Sequence, residues 1–216
     1  PYMGRNALDA ATLAYQACGL LRQQMPPSDR LHAVIADGGA RASIIPESAT
    51  LQIYVRSLYT ETLMDLSQRV EDILQGAALM TGTAVDAQWD EHPMSLPVRN
   101  NETLARRWGA TQASRGRDVL PAGTLPDSQG ASTDFGNVSH LVPGIHPLVK
   151  IAPEGTAMHT TDFAAAAISD HAFAGAFDAA VGLAQTIADI LNDPQLLADA
   201  KKEFEAAGGA ISVEEL

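Results

Sequence analysis

Histidine is the residue type whose placement in this chain most directly suggests chemistry. His159 lies directly before a predicted helix, and a neutral imidazole is a good ligand for zinc. A lone histidine in such a place is more often a capping or core residue, because one imidazole carries little metal signal. The other histidines have no ligand spacing among themselves, and we interpret them as structural or surface residues: His32, His92, His140, His146 and His171.

Arg56 is the second residue whose position suggests chemistry. Apolar and polar residues alternate over 49–56, which predicts a strand with Leu51, Ile53 and Val55 on its apolar face. Arg56 then falls on the polar face, where its planar fork suits bidentate binding of a carboxylate. An exposed arginine that ends a strand is also an ordinary surface cation, so the sequence pattern leaves both interpretations open.

The elements predicted for the first half must position Arg56. A helix over 5–25, capped by Asn6 and stopped by Pro26, precedes strands over 31–36 and 49–56. A helix over 60–80, ended by Gly82, precedes a strand over 83–89. With one more strand in front, this order would be a split βαββαβ sandwich, in which two helices cover one face of an antiparallel sheet.

The composition changes near residue 92, where Pro93, Pro97 and an Asn-Asn pair mark a boundary. Beyond it we predict helices over 102–114, over 161–191 with a break near Ser169, and from Pro194 to a Gly-Gly pair at 208–209. A short strand is predicted over 146–151. A doubly wound domain needs alternating strands and helices, so the scarcity of strands here indicates that other strands belong upstream.

Charge and composition exclude several classes of protein. The chain has 216 residues and a net charge of −12, so we expect neither a nucleic acid nor an anionic membrane as a partner, since both need a basic face. No apolar run approaches the roughly 18 residues that span a bilayer. Cys18 is the only cysteine, which excludes an intrachain disulfide and a cysteine-based zinc site and favours a reduced, cytoplasmic environment.

Three groups of motifs, in order along the chain, carry a family resemblance. The first is GRNALDA at 4–10, and the second combines DGG at 37–39, IIP at 44–46 and YVR at 54–56. The third combines ASTDFGNVS at 131–139, PGIH at 143–146 and HTTDF at 159–163. Together they resemble the dizinc metallopeptidases and amidohydrolases of the aminoacylase, glutamate carboxypeptidase and aminobenzoyl-glutamate hydrolase type. The third group is most similar to the aminobenzoyl-glutamate hydrolase and dipeptidase branch.

The resemblance implies a fold of the α/β class. Residues 1–92 would be a ferredoxin-like split βαββαβ dimerisation lid without its first strand, and residues 93–216 the C-terminal portion of a dizinc α/β catalytic domain. In such a family the lid packs against the lid of a second subunit, so the resemblance also implies a homodimer.

The same resemblance assigns roles to five residues. His159 would be the last metal ligand, and Arg56 would bind the free carboxylate of the substrate. Ser43 stands where the family usually has an asparagine that holds the substrate, and it lacks the reach of that amide. Ala131 and Ser132 belong to a loop whose backbone amides and hydroxyl would approach the carboxylate. Alanine stands at 131 where the family often has glycine, which restricts that approach.

Most of the implied metal site is missing from the sequence. The family takes a histidine and a bridging aspartate from a His-x-Asp motif, which this chain lacks. The family's general base comes from a Glu-Glu pair that precedes the last histidine, but the pair here, Glu214-Glu215, follows His159. We therefore assign no catalytic residue to this chain, and expect it to be inactive alone.

The implied activity is hydrolysis of the amide bond of N-acyl or N-aroyl amino acids or of dipeptides. The implied cofactor is Zn²⁺, two ions in a complete site, with manganese or cobalt left open. The partner would be a small amide that carries a carboxylate. The alternative is a non-catalytic remnant that dimerises or binds a carboxylate. A generic ligand-binding domain would require the order of all the motifs to be chance.

Overall fold

The computed structural model describes residues 1–89, 94–121, 123–124 and 133–212. These residues form two compact units, the first ending at Pro97 and the second running from Val98. Helices are combined with one two-stranded sheet, so the chain is of mixed α and β class. The predicted boundary between residues 92 and 93 lies outside the described residues.

The first helix, α1, spans Ala7–Leu21 and continues as a short 3-10 helix at Arg22–Gln24. The side chain of Asn6 accepts a hydrogen bond from the Leu8 amide at 3.0 Å, which satisfies one of the amides that a helix start leaves without a partner. The predicted cap is therefore confirmed. Pro26 cannot continue the helix, because it has no amide hydrogen.

Two antiparallel strands follow, β1 at Arg30–Asp37 and β2 at Thr50–Arg56. Their register places Leu31 opposite Val55, Ala33 opposite Ile53 and Ile35 opposite Leu51. Because side chains alternate along a strand, these three pairs share one face, which is the less exposed one. Both strands match the predicted alternation.

The second helix, α2, spans Thr60–Thr81 and ends at Gly82, as predicted. Gly82 has a φ of 67° and donates its amide hydrogen back to the last turn of the helix, a left-handed geometry that favours glycine. The helices α1 and α2 cover the less exposed face of the hairpin. The buried core contains Cys18, Leu21, Leu31, Leu66 and Val70, with Ile53, Val55, Ile73 and Leu74 packed around it.

The predicted strand over 83–89 is wrong, because these residues pair with no described strand. Their exposure nevertheless alternates. Between this segment and β2 lies a cavity of about 690 Å³, lined also by small residues of α1 and by Val70 and Leu74 of α2. A strand forms only when a neighbouring strand accepts its hydrogen bonds. Among the described residues, the space beside this segment is occupied by the cavity and by no strand.

The second unit is built on α3 (Glu102–Ser114) and α7 (Pro194–Ala206), both predicted. The carboxylate of Glu203 accepts hydrogen bonds from the amides of Glu102 and Thr103, at 2.5 and 2.9 Å, and from the Thr103 hydroxyl at 2.6 Å. It thus caps the start of α3 from another helix. The side chain of Asn101 joins the same two helices, because its amide donates to the Ala200 carbonyl at 2.9 Å.

The predicted helical stretch over 161–191 is divided into α5 (Thr161–Ala166) and α6 (Asp170–Asn192). The break falls where it was predicted, because the Ser169 hydroxyl accepts from the Ala172 amide and caps α6. The close approach of α6 to α3 requires Gly182, where a Cβ would lie 2.7 Å from Trp108 Nε1.

A short unpredicted helix, α4, spans Phe135–Ser139. The predicted strand over 146–151 is wrong, since these residues pair with no described segment.

By length and composition alone, α6 could cross a bilayer, which differs from the expectation that no segment approaches that size. Two aspartates of α6 form ion pairs with arginines in α3 or just after it: Asp189 pairs with Arg107, and Asp178 pairs with Arg115 and Arg117. The exposed face carries a stripe at helical spacing, formed by Phe173, Phe177, Ile187 and Leu191. One such helix is a weak indication of a membrane segment.

Replacing the core residue Leu66 by alanine should destabilise the first unit by about 2–5 kcal/mol, the usual cost of a cavity in a core. Leu66 is 2% exposed, whereas Leu79 on the same helix is 83% exposed. The matched control Leu79→Ala should change stability by less than about 0.5 kcal/mol. Urea unfolding followed by circular dichroism measures both variants. Equal effects would show that the packing of α2 is not as described.

The cap formed by Glu203 predicts a pH dependence of stability. Burial raises the pKa of Glu203, but hydrogen bonds from Thr103 and Glu102 together outweigh it and hold the pKa below its ordinary value. Because its pKa is lower in the folded than in the unfolded protein, ionised Glu203 stabilises the fold. This stabilisation is complete above the unfolded pKa of about 4.3 and is lost as the pH falls through the folded pKa. Unfolding between about pH 5 and 3 should show a smaller pH-dependent loss in Glu203→Gln than in the wild type. The exposed control Glu154→Gln should behave as the wild type, and identical curves for all three would contradict the cap.

Candidate functional site

The backbone at His159 is in an unusual conformation. Its φ is 63°, and among the described residues it is the only non-glycine residue with a positive φ. For an L-residue this left-handed region costs about 1–2 kcal/mol, and such strain clusters at functional sites because the surroundings must enforce it. The imidazole is exposed, so the strain does not serve to bury the ring.

Thr160 fixes the backbone next to His159. Its hydroxyl donates to the Ala157 carbonyl at 2.7 Å and accepts from the Phe163 amide at 3.2 Å, capping α5. On the other side, a turn at Pro153–Thr156 closes through a bond from the Thr156 amide to the Pro153 carbonyl, with Gly155 at a φ of 85°. The exposed His159 therefore lies between the turn at 153–156 and the start of α5, both of which are fixed by hydrogen bonds.

The donor set around His159 does not make a metal site by itself. Within 1–89, 94–121, 123–124 and 133–212, no three His, Cys, Asp or Glu residues lie close enough together to hold a metal ion. A zinc site takes three or four protein ligands. His159 can contribute one of them, and the Glu214-Glu215 pair lies outside the described residues.

Arg56 is the last residue of β2 and lies on the exposed face of the hairpin, as predicted. Its guanidinium stacks over the Tyr54 ring, 4.6 Å from the ring centroid. Arg30 lies directly opposite Arg56 in the strand register. Arg30 belongs to none of the motifs that carry the family resemblance. The alternation of β1 places it on the polar face, but its pairing with Arg56 depends on the register, which the sequence alone does not reveal.

Ser43 is exposed in the connection between β1 and β2. This connection leaves the hairpin at the Asp37–Thr50 end, whereas Arg56 lies at the other end of β2. Seven residues of strand separate the two ends by roughly 20 Å. Within one chain the hairpin therefore does not bring Ser43 and Arg56 to the same small ligand.

Ala131 and Ser132 lie outside the described residues. The residues that follow them are ordered by local bonds, since the Thr133 hydroxyl accepts from the Phe135 amide at 3.3 Å and donates to the Asp134 carboxylate at 3.2 Å. Phe135 packs against the His146 ring with centroids 5.4 Å apart. Phe135 of the ASTDFGNVS motif and His146 of the PGIH motif therefore meet in the second unit.

The comparisons with known proteins agree with the family resemblance. The chain is 38% identical to a Xaa-Arg dipeptidase of Mus musculus and 35% identical to that of Homo sapiens, in each case over 95% of this chain and 47% of the relative. It is 25% identical to one of the p-aminobenzoyl-glutamate hydrolase proteins of Escherichia coli (strain K12), over 95% of this chain and 53% of that protein. No family model matches the chain.

These relatives are peptidases and amidohydrolases, and the similarity extends along nearly the whole chain. The chain is homologous to the Xaa-Arg dipeptidases and to p-aminobenzoyl-glutamate hydrolase over 95% of its length. It spans about half the length of the curated relatives it matches.

Substitutions at His159 should show how much its backbone conformation, as distinct from its imidazole, affects the stability of the fold. His159→Gly should keep or raise stability, whereas His159→Val should lower it by about 1–2 kcal/mol, because a β-branched residue resists a positive φ. The neighbouring Met158 is exposed and has no positive φ, so the same two changes there should reverse the order. Thermal unfolding of the four variants measures this. Equal stability of the glycine and valine variants at 159 would contradict the strained geometry.

Proposed function

We propose that the whole protein of which this chain is a part hydrolyses an amide bond between an acyl or aroyl group, or an amino acid, and a second amino acid that carries a free carboxylate. The observation that carries the proposal is the similarity over 95% of the chain to two dipeptidases and a p-aminobenzoyl-glutamate hydrolase protein. The geometry at His159 and Arg56 supports it. Dipeptides and N-acyl amino acids are both within the proposed substrate class.

In this proposal Arg56 anchors the free carboxylate of the substrate. The guanidinium is exposed and held over Tyr54, so its fork keeps a defined orientation without being neutralised by that contact. Ser132 and the backbone at Ala131 would supply further hydrogen bonds from the loop, by family resemblance. Ser43, at the far end of the hairpin, would serve a different part of the substrate or a second subunit.

His159 would be one ligand of the proposed metal site, with zinc as the expected metal. Bound zinc lowers the pKa of a water molecule and so supplies a nucleophile at neutral pH. Because the described residues contribute only this one family ligand, the remaining ligands and the general base would come from the rest of the protein. No step of the reaction is assigned to a metal on this chain.

Residues 1–92 would form the dimerisation lid, and residues 93–216 the end of the catalytic domain. The cavity beside β2 supports the lid, since one further strand there would join β2 to the segment at 83–89. A strand that leads into α1 and crosses back to β1 would run parallel to β1, hence antiparallel to β2. The exposed stripe on α6 supports the second assignment, since a sheet from the rest of the domain would cover it.

A homodimer formed through the lid and a cytoplasmic location belong to the same proposal. The second candidate function is a non-catalytic module that dimerises or binds a carboxylate. It is favoured by one observation, namely that Arg56, the proposed carboxylate anchor, stands in this sequence while the His-x-Asp motif expected by family resemblance does not.

The protein encoded with its upstream coding sequence tests this proposal. That protein, loaded with zinc, should hydrolyse Xaa-Arg dipeptides or N-acyl amino acids, and His159→Gly should lower both metal content and kcat/KM by about 100-fold or more. Arg56→Gln should chiefly raise KM, while the exposed control Arg41→Gln should not. The 216-residue chain alone should show no hydrolysis.

Hydrolysis by the 216-residue chain alone would contradict the proposal that the other metal ligands and the general base come from the rest of the protein. An upstream sequence without a His-x-Asp and a Glu-Glu pair would favour the non-catalytic module, as would a zinc-loaded longer protein that binds N-acyl amino acids without cleaving them.

A further inference from the structure

Two arginines face each other across the hairpin. Arg30 and Arg56 are direct partners in the register of β1 and β2, so their side chains leave the sheet on the same face with Cβ atoms about 4.5–5.5 Å apart. Like charges in directly opposite positions destabilise a sheet. Although the chain has 26 acidic and only 14 basic residues, it places two arginines, Arg30 and Arg56, in this unfavourable arrangement.

Each guanidinium is held in place without a carboxylate. One nitrogen of Arg30, Nη1, donates to the carbonyls of Pro27 and Asp29, both at 2.6 Å. Arg56 is held over the Tyr54 ring. Among the described residues neither arginine has an acidic side chain within ion-pair distance, and no described residue accepts a hydrogen bond from Nε or Nη2 of Arg30.

The nearest acidic residue in the sequence is already engaged elsewhere. Asp29 is 4% exposed, and its carboxylate accepts from the hydroxyls of Ser57 at 2.8 Å and Ser28 at 3.1 Å. The other pairs on the exposed face of the hairpin add no negative charge: His32 with Tyr54 and Val34 with Gln52. Asp29 keeps its negative charge, but its carboxylate forms no ion pair with Arg30 or Arg56 among the described residues.

We propose that Arg30 is a second anchor of the substrate carboxylate, and that Arg30 and Arg56 hold one carboxylate between them. The inference rests on the proposed function, which gives Arg56 a carboxylate to bind. A carboxylate has two oxygens and about four acceptor sites, enough for two guanidinium forks. Because each guanidinium already has contacts of its own, Arg30 with two carbonyls and Arg56 with the Tyr54 ring, less side-chain entropy is lost on binding than for a free side chain. Arg30 thereby selects substrates with a free carboxylate over their neutral amides.

The test uses the 216-residue chain and two probes that differ only in charge, N-acetyl-L-alanine and N-acetyl-L-alaninamide. NMR titration follows the Nε–Hε signals of the arginines. N-acetyl-L-alanine should shift the signals of both Arg30 and Arg56, and the amide should shift neither. Arg30→Gln and Arg56→Gln should each weaken binding of N-acetyl-L-alanine about tenfold, the loss of a charge-assisted hydrogen bond.

Arg41→Gln is the matched control, since it removes the same charge from the connection at the other end of the hairpin and should leave the affinity unchanged. Because Arg30→Gln also removes two bonds to the turn before β1, Arg30→Lys is the second variant. It should fold as the wild type and weaken binding, since an ammonium lacks the fork.

The outcomes separate the two proposals. If Arg56→Gln weakens binding while Arg30→Gln and Arg30→Lys match the Arg41→Gln control, the role of Arg30 is overturned and the proposed anchor stands. If Arg56→Gln also has no effect, or if N-acetyl-L-alanine shifts neither arginine signal at its solubility limit, both are overturned. Equal binding of the neutral amide overturns the selection for a carboxylate.

Discussion

The pairing of β1 with β2 is the constraint on which the first unit depends. Side chains alternate with a period of two, so one register decides every residue on both faces. The observed register sends Leu31, Ile53 and Val55 toward α1 and α2, where they meet the core at Leu66 and Val70. The same register brings Arg30 opposite Arg56. A slip by one residue would expose the core face and separate the two arginines, so stability and the candidate anion site have a common origin.

Local signals in the sequence predicted the helices well. The side chains of Asn6, Asn101 and Ser169 each cap a helix by accepting a hydrogen bond from a backbone amide two or three residues ahead. Such a bond depends only on neighbouring residues. Gly82 likewise ends α2 for a local reason. These are the features that a single sequence encodes within one turn of helix.

The predictions that failed depend on distant partners. The segments at 83–89 and 146–151 alternate as strands do, but a strand exists only where another strand accepts its hydrogen bonds. In the candidate site, the sequence placed Arg56 on a polar face and His159 before a helix. It could not reveal the left-handed backbone at His159 or the partner of Arg56, because both are set by packing and register.

The cavity beside β2 and the apolar stripe on α6 have a consequence for how the proposed whole protein is made. A ribosome delivers a chain from its N-terminus, and domains tend to fold in that order. The surfaces that would fill the cavity and cover the stripe would then be synthesised before the hairpin and α6 emerge. Each late segment would then dock on surfaces that have already been synthesised, and the same chain produced by itself would leave the cavity and the stripe uncovered.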